Sequence, residues 1–323
     1  MMKPIIDMHC DTLLRCLGGE SLAAMKGSHI DLNKLKDGGS LVQCLALFIT
    51  TNGDQAHYGL GDKTAYQVYQ AMLEVFHSQI AENRDRIKQI FNSSEIESGI
   101  GGDKLMALLT VEDAAPLEGK LERIKEFYDD GVRMMSLTWN YENCLAWPNS
   151  SDPLENNTKG LKPFGFSAVE RMNDLGMIVD VSHLSDKGFW DVASVSEKPF
   201  IASHSCVRNL CSHQRNLTDD QLRALAEHGG IVGINFCGEF LEDGNRLTSS
   251  IRSVLQHMQY IKNVAGAETL AWGSDYDGIG ETLEWQDFSG MPVLIDAMSS
   301  CFTDDEIEKI CYKNFIRVLK DNE

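Results

Sequence analysis

The sequence predicts an α/β protein built as a (β/α)8 barrel, also called a TIM barrel, and three observations indicate this fold. Eight short apolar runs are separated by segments with helical periodicity. Most of these runs are continuously apolar, as strands in a parallel sheet covered by helices must be. The chain has 323 residues, which lies within the usual size range of one barrel. We therefore expect residues 1–323 to form a single barrel domain.

The order of the elements follows from the apolar runs and the helix signals between them. The predicted strands span residues 4–11, 40–50, 104–112, 132–139, 177–183, 200–204, 231–237 and 270–275. The predicted helices span residues 63–91, 117–130, 167–173, 186–195, 218–227 and 254–264, and a closing helix starts at 303. Capping boxes at Thr218-Asp-Asp-Gln221 and Thr303-Asp-Asp-Glu306 mark two helix starts. Residues 140–165 are polar and predict an active-site loop, with a disordered insertion as the alternative.

Charge and motifs exclude several classes of function. The chain has 29 basic and 48 acidic residues, a formal net charge of −19, which argues against binding nucleic acid or an anionic membrane. No GxGxxG or GxxxxGK[ST] motif opens a helix, so a dinucleotide or nucleoside triphosphate site is not expected. The nine cysteines form no CxxC pair and no signal peptide precedes the first strand. We therefore expect a cytoplasmic protein.

Metal-binding residue types collect at the ends of the predicted strands, where barrel enzymes place their working groups. The residues in question are His9 and Asp11 on the first strand, Glu112 on the third, His183 on the fifth, His204 on the sixth and Asp275 on the eighth. Each of them alone has an ordinary structural explanation, such as a hydrogen-bonded histidine or a solvated acid. Their shared position at one rim favours a common site.

The composition of this set suits two metal ions better than one. Three histidines and two carboxylates exceed the four ligands of a tetrahedral zinc ion. Glu112 is predicted to bridge two ions ~3.5–4 Å apart, with His9 and Asp11 on one ion and His183 and His204 on the other. Two cations that share a water lower its pKa towards ~7, and the resulting hydroxide can attack a carbonyl carbon.

Two further residues fit the hydrolysis of an amide. Asp275 is placed to accept a proton from the attacking water and to pass it to a leaving amine, with Asp277 as the nearest competitor for this role. Arg215 follows the sixth strand and could form a bidentate pair with a substrate carboxylate. The alternative for Arg215 is an ordinary surface ion pair.

Several motifs in the chain resemble one known family. They are Asp7-Met-His-Cys-Asp11, Val111-Glu112, Gly160-Leu-Lys-Pro-Phe-Gly165, Asp180-Val-Ser-His183, Ser203-His-Ser205, Arg215-Asn216 and Gly273-Ser-Asp-Tyr-Asp-Gly278. In these motifs and in their order the sequence is similar to the membrane (renal-type) dipeptidases, peptidase family M19, and to their soluble bacterial branch.

The resemblance implies a barrel related to the amidohydrolases and a cofactor of two zinc ions. The implied ligands match His9, Asp11, Glu112, His183 and His204, with Glu112 as the bridge. Family members cleave free dipeptides and often tolerate a D-residue at the C-terminal position. Arg215 and Asp275 match positions that contact the substrate. By analogy with similar barrels, a homodimer is one expected assembly.

The chain departs from the family after the fourth strand. Much of the family has a histidine after the Leu-Thr pair there, whereas this chain reads Leu137-Thr-Trp-Asn140. Asn140 is predicted to donate a hydrogen bond to the oxyanion instead. The loss of one such donor costs ~10²–10³ in rate. Trp139 cannot assist if its side chain points into the core.

Two alternatives stay open from the sequence. One is another metal-dependent barrel hydrolase that acts on amides or lactones, or a deaminase, although no lysine stands at residues 132–139 to act as the modified ligand of many such enzymes. The other is a catalytically silent homologue that binds metal, which the missing histidine would permit.

Overall fold

A computed structural model describes residues 3–49, 60–244, 247–280 and 282–323. The strands are β1 (Ile5–Asp7), β2 (Ser40–Phe48), β3 (Ile87–Gln89), β4 (Leu105–Glu112), β5 (Val132–Ser136), β6 (Ile178–Asp180), β7 (Ala202–Ser205), β8 (Val232–Ile234), β9 (Thr248–Ser249), β10 (Leu270–Trp272) and β11 (Thr282–Leu283). The helices are α1 (Thr12–Leu17), α2 (Leu32–Gly38), α3 (Ala65–Glu82), α4 (Ser93–Gly99), α5 (Glu122–Asp129), α6 (Pro153–Thr158), α7 (Pro163–Leu175), α8 (Asp186–Val195), α9 (Asp219–Glu227), α10 (Gly238–Leu241), α11 (Ile251–Ala265), α12 (Met291–Met298), α13 (Asp304–Glu308) and α14 (Asn314–Asn322).

The strands form a parallel barrel, so the predicted fold class is confirmed. Their order around the sheet is β6, β5, β4, β2, β1, β10, β8 and β7, and every pairing is parallel. A parallel bridge between Asp180 and Ile201 joins β6 to the segment before β7 and closes the ring. Because all the strands run the same way, their carboxyl ends meet at one rim.

Both faces of the barrel strands are buried, which explains why the apolar runs do not alternate with polar residues. Along β2, Val42 and Cys44 belong to one buried cluster, while Leu45 and Leu47 belong to the larger cluster that includes the surrounding helices. Phe315 and Leu319 of α14 join the first of these clusters. The sequence pattern therefore reports two cores, one on each side of the sheet.

The observed strands are shorter than the predicted ones, because the apolar runs continue into the rim loops after the ladder hydrogen bonds end. The first strand stops at Asp7, so His9 and Asp11 lie beyond it, and Asp11 stands just before α1. The helix predicted over residues 63–91 is wrong at its end, since α3 stops at Glu82 and β3 follows. Six helices were not predicted, namely α1, α2, α4, α6, α10 and α12.

Other helix signals are confirmed. Thr218 and Gln221 form the predicted capping box of α9, and Thr303 and Glu306 form that of α13. The long loop is shorter than predicted, because α6 interrupts it and α7 already starts at Pro163. Across the described parts of the chain, no helix combines the length and apolar character needed to cross a membrane.

Candidate metal centre and active site

Glu112, the last residue of β4, lies between the three candidate histidines. Its Oε2 atom is 3.5 Å from His9 Nε2, while its Oε1 atom is 3.0 Å from His183 Nε2 and 3.6 Å from His204 Nε2. Glu112 and the three histidines are all buried. One oxygen of this carboxylate therefore faces His9, and the other faces His183 and His204.

The two acids from the first and last barrel strands complete the cluster. His9 Nε2 is 3.5 Å from Asp11 Oδ2 and 3.9 Å from Asp275 Oδ1. Ligand atoms of His9, Asp11 and Asp275 all lie within 4.8 Å of one another, as do those of His9, Glu112 and His204. The structure thus brings the predicted set together at the carboxyl ends of the strands.

The donor atoms in this cluster fit divalent cations. His9 Nε2 and Asp11 Oδ1 are buried without a hydrogen-bond partner among the described residues. His183 Nε2 and His204 Nε2 face each other at 2.9 Å, and the His9 and His204 rings stack with their centroids 4.0 Å apart. Buried polar atoms without partners cost free energy, which a bound cation would recover. Imidazole nitrogens and carboxylate oxygens are ligands of zinc, so this cluster suits that ion.

The protonation of the cluster depends strongly on burial. Burial raises the pKa of Glu112 to about 8 and that of Asp275 to about 7. Burial also holds the pKa of His183 and His204 well below the ordinary value. Burial opposes the charging of His9 as well, but the neighbouring carboxylates of Glu112 and Asp11 raise its pKa well above normal. A bound cation would favour ionised acids and neutral imidazoles throughout.

Asn140 lies behind His183, on the side away from Glu112. Its Oδ1 atom is 3.0 Å from His183 Nδ1, so that Nδ1 carries the proton when Nε2 serves as a ligand. The sequence predicts a contact between Asn140 and the oxyanion but gives no sign of this contact to His183. Asn140 also lines the central cavity, so its amide group lies beside both the imidazole and the substrate space.

Asp275 projects from a strained turn after β10. Its φ angle is +63°, in the left-handed region, and its Oδ2 atom accepts a hydrogen bond of 2.9 Å from Asn235 Nδ2. Its competitor Asp277 accepts hydrogen bonds from Thr12 Oγ1 and from the backbone N–H of His29, both at 2.6 Å. Asp277 is therefore tied to the structure of this rim, whereas Asp275 Oδ1 faces the cluster.

Arg215 is a buried cation at the edge of the cluster. Its Nη2 atom donates to the backbone oxygen of His204 at 3.2 Å, and its Nη1 atom lies 3.5 Å from Ser205 Oγ. Its Nε atom has no hydrogen-bond partner, and within the described ranges no acidic side chain forms an ion pair with it. Burial lowers the pKa of this guanidinium. A buried cation of this kind is suited to an anionic ligand.

A cavity of about 820 Å³ opens over the cluster. Asp11, Glu112, His183, Arg215 and Asp275 all line it. Its apolar wall is formed by Leu14, Phe48, Trp139, Phe240 and Ile279, and residues 149–151 of the predicted active-site loop also line it.

Two residues of this region, His213 and Asn235, were not expected from the sequence, which also left the direction of the Trp139 side chain open. Trp139 is half-buried and packs edge-on against Phe48 with ring centroids 4.9 Å apart, so it faces the cavity and not the core. His213 also lines the cavity. Asn235, which holds Asp275, follows β8 directly. A polar residue at a strand end was the only signal for Asn235, and many such residues carry no function.

Comparisons with known proteins agree with this geometry. The family model described as membrane dipeptidase (peptidase family M19) matches residues 1–323. An uncharacterised dipeptidase of Schizosaccharomyces pombe is 30% identical over 302 residues, covering 92% of this chain and 73% of that protein. The crystal structure of dipeptidase AC, an M19 metallopeptidase, superposes with a TM-score of 0.91 at 28% identity, covering 100% of this chain and 99% of the other.

A second crystal structure contains a ligand. It is a metallopeptidase from Rhodobacter sphaeroides with a phosphinate mimic of the dipeptide L-Ala-D-Ala, and it matches with a TM-score of 0.90 at 27% identity and full coverage of both chains. These similarities favour a dipeptidase over the alternatives of a deaminase, a lactone hydrolase or a silent homologue. The chain belongs to the membrane dipeptidase family, peptidase family M19, and is a metallo-dipeptidase.

Proposed function

We propose that this enzyme holds two zinc ions on either side of Glu112 and hydrolyses free dipeptides. The observation that carries the proposal is the position of Glu112, whose Oε2 atom faces His9 Nε2 and whose Oε1 atom faces the Nε2 atoms of His183 and His204. His9 and Asp11 would hold one ion, and His183 and His204 the other. The unpartnered atoms His9 Nε2 and Asp11 Oδ1 support this assignment.

The two cations, when bound, would acidify a water and polarise the scissile carbonyl. The protein supplies the remaining steps. Asp275 accepts the proton of the attacking water and passes it to the leaving amine. Asn235 fixes Asp275 Oδ2, which leaves Oδ1 directed at the cluster. Asp275 lines the cavity beside the cluster, where a carboxylate can reach both the attacking water and the leaving amine.

Arg215 binds the C-terminal carboxylate of the dipeptide in this proposal. It is buried, lines the cavity and has no acidic partner in the described residues. A guanidinium can pair with a carboxylate through two parallel hydrogen bonds, which positions the peptide bond as well as adding affinity. Free dipeptides are therefore preferred to blocked ones.

We further propose that both L,L and L,D dipeptides are substrates. Support comes from the Rhodobacter sphaeroides relative, whose ligand mimics L-Ala-D-Ala. Asn140 is proposed to contact the substrate through its amide group, next to its contact with His183. A single catalytic domain over residues 1–323, the cytoplasmic location and the homodimer stay predictions.

The proposal is tested by zinc analysis and dipeptide hydrolysis in the wild type and in Glu112→Gln. The amide keeps the size of the side chain but removes the charge that would neutralise the two cations. We expect two zinc ions per wild-type chain, and a loss of zinc together with activity in the variant. Glu170→Gln, on the exposed face of α7, is the control and should retain both. Full hydrolysis by Glu112→Gln would overturn the bridging role.

A further inference from the structure

We propose that Asp180 and Ser203 are positioning residues that hold the proton of His204 on Nδ1 and so keep its Nε2 atom free to bind a cation. The inference rests on the proposed role of His204 as a metal ligand, and it concerns two residues that the sequence analysis did not single out as site residues. Asp180 ends β6, and Ser203 and His204 lie next to each other in β7.

The direction of the hydrogen bonds identifies the proton. Ser203 Oγ donates to Asp180 Oδ2 and lies 2.7 Å from His204 Nδ1. A serine hydroxyl has only one proton to donate, and a carboxylate can only accept. Because Ser203 gives its proton to Asp180, it must accept one from His204 Nδ1. The lone pair of the imidazole is then on Nε2, which faces Glu112 and His183.

We call the hydrogen bonds from His204 Nδ1 through Ser203 Oγ to Asp180 Oδ2 the relay. The Asp180 carboxylate is also held through its other oxygen. Asp180 Oδ1 accepts the backbone N–H of Ser182 and that of Ser203, both at 2.9 Å. Asp180, Ser203 and His204 are all buried, at 3%, 0% and 1% exposure, so water does not compete for these bonds. The relay spans the seam at which the Asp180 to Ile201 bridge closes the barrel.

Replacing Asp180 by asparagine should reverse the relay without changing its shape. The two backbone donors at Oδ1 keep the amide oxygen on their side, so the NH2 group takes the place of Oδ2 and donates to Ser203 Oγ. Ser203 then donates to His204 Nδ1, which moves the imidazole proton to Nε2, where a cation would bind. The same substitution in a Ser-His-Asp triad leaves the geometry intact and produces the wrong tautomer.

The test combines zinc affinity with the tautomer of His204. Zinc affinity is measured by competition with a chromophoric chelator, and the nitrogen-15 shifts of the His204 ring are recorded in the metal-free protein. We expect Asp180→Asn to lower zinc affinity by roughly 10–100-fold, as is usual for partners of metal-binding histidines. The nitrogen-15 shifts should then show the proton on Nε2 in place of Nδ1.

The double variant Asp180→Asn with Ser203→Ala separates the relay from a purely structural role. Without the hydroxyl, the amide cannot force the proton onto Nε2, so the double variant should bind zinc more tightly than Asp180→Asn alone. Ser253→Ala is the control, because Ser253 is a buried serine of α11 whose hydroxyl donates within its own first turn, to the backbone oxygen of Ser250 at 3.0 Å. This control should keep the Nδ1 proton.

The outcomes distinguish this inference from the proposed function. A wild-type protein that binds no zinc would overturn both. If the wild type binds zinc, two results would overturn the relay alone. One is an unchanged His204 tautomer in Asp180→Asn, and the other is a double variant in which the losses of zinc affinity add up. If Asp180→Asn does not fold, Ser203→Ala decides the matter, because its His204 should populate both tautomers and an unchanged Nδ1 proton would contradict the relay.

Discussion

At the scale of single residues, the site is marked by charged and polar groups that the rest of the protein leaves without partners. Arg215 is the clearest example, since it is buried, lines the cavity and has an Nε atom with no acceptor. Burying a charge without a partner is unfavourable, so a protein retains such a group where a ligand supplies the partner. The ligand in our proposal is the carboxylate of a dipeptide.

This role predicts how Arg215→Ala will behave. A charge-assisted hydrogen bond contributes about 1.5–3 kcal/mol, which corresponds to roughly a 10–100-fold increase in KM for free dipeptides. Dipeptides amidated at the C-terminus lack the carboxylate and should show a much smaller change. Steady-state kinetics on both substrate types provide the measurement, with the exposed Arg223→Ala as the control. Equal changes for the two substrate types would rule out the carboxylate contact.

Gly278 provides a second prediction at this scale. A Cβ atom at this position would lie 2.1 Å from Asp11 Oδ2 and 2.4 Å from Asp275 Oδ1, closer than any real contact. Gly278→Ala should displace both acids and lower kcat/KM by roughly 10²-fold, the cost of a misplacement of about 1 Å in a catalytic site. Gly280→Ala is the matched control, because a Cβ there meets no atom within 4 Å. Similar kinetics for the two variants would contradict the proposed roles of these acids.

At the scale of elements, the loop between β5 and α7 is attached to the rim by Asn143. Its Nδ2 atom donates to Asp113 Oδ1 and to the backbone oxygen of Leu137, both at 2.7 Å, and its Oδ1 atom accepts from Leu145 N at 2.8 Å. Burial raises the pKa of Asp113 to about 6, and the bond from Asn143 opposes that shift. Residues 149–151 of the same loop line the cavity and are held separately, because the backbone N–H of Asn149 donates to the backbone oxygen of His183 at 2.7 Å.

Asn143→Ala should therefore weaken the fold far more than substrate binding. Several partly buried hydrogen bonds are lost at about 0.5–1.5 kcal/mol each, so we expect the free energy of unfolding to fall by roughly 2–4 kcal/mol. KM should change little, because residues 149–151 keep their own hydrogen bonds to His183 and Asn156. Urea unfolding and kinetics measure the two effects, and Asn157→Ala on the exposed side of α6 is the control. A change in stability below about 0.5 kcal/mol would show that Asn143 is not the anchor.

The elements also show how far the sequence alone could predict the molecule. Strand order and the meeting of the candidate ligands were predictable, because ligand-type residues at the ends of apolar runs share one rim in any parallel barrel. The placement of His9 and Asp11 on the first strand was wrong, since the strand ends at Asp7 and the segment after it brings these two side chains together. Short elements such as α2 and β3 lacked a periodic pattern long enough to recognise.

Contacts between strands were beyond the reach of the sequence. Nothing in the spacing of Asn235 and Asp275, or of Asn140 and His183, indicates that their side chains meet. Ser203 stood in a recognised motif, but its hydrogen bond to Asp180 depends on the closure of the barrel between β6 and β7. Such partners are set by three-dimensional register, which a single sequence does not show.

At the scale of the whole molecule, the candidate metal cluster joins residues from His9 to Asp275, so the proposed metal binding would be coupled to stability. In protein freed of metal, Glu112 and Asp275 keep protons that the unfolded chain has already released above pH ~4.5, because burial raises their pKa values to about 8 and about 7. His9, whose pKa is also raised, retains a proton above its ordinary value. The folded state thus binds more protons than the unfolded state in this range, so stability falls as pH rises.

Below pH 6.5 the effect is offset by His183 and His204. Their pKa values are depressed in the folded state, so at low pH protons bind preferentially to the unfolded chain. The stability of the fold therefore decreases as the pH falls below the histidine pKa of the unfolded chain. We therefore predict that the melting temperature of chelator-treated protein falls by several degrees between pH 6.5 and 8. Each additional proton held by the folded state lowers the free energy of unfolding by about 1.4 kcal/mol per pH unit. Added zinc should raise the melting temperature and remove this slope. A flat profile in metal-free protein would contradict the proposed electrostatics of the site.

The most direct test of the central claim, that Glu112 bridges two zinc ions, is anomalous X-ray scattering at the zinc absorption edge from crystals of the zinc-loaded enzyme. Our account predicts two peaks, one beside His9 and Asp11 and the other beside His183 and His204, with Glu112 between them. A single peak, or peaks away from Glu112, would contradict it.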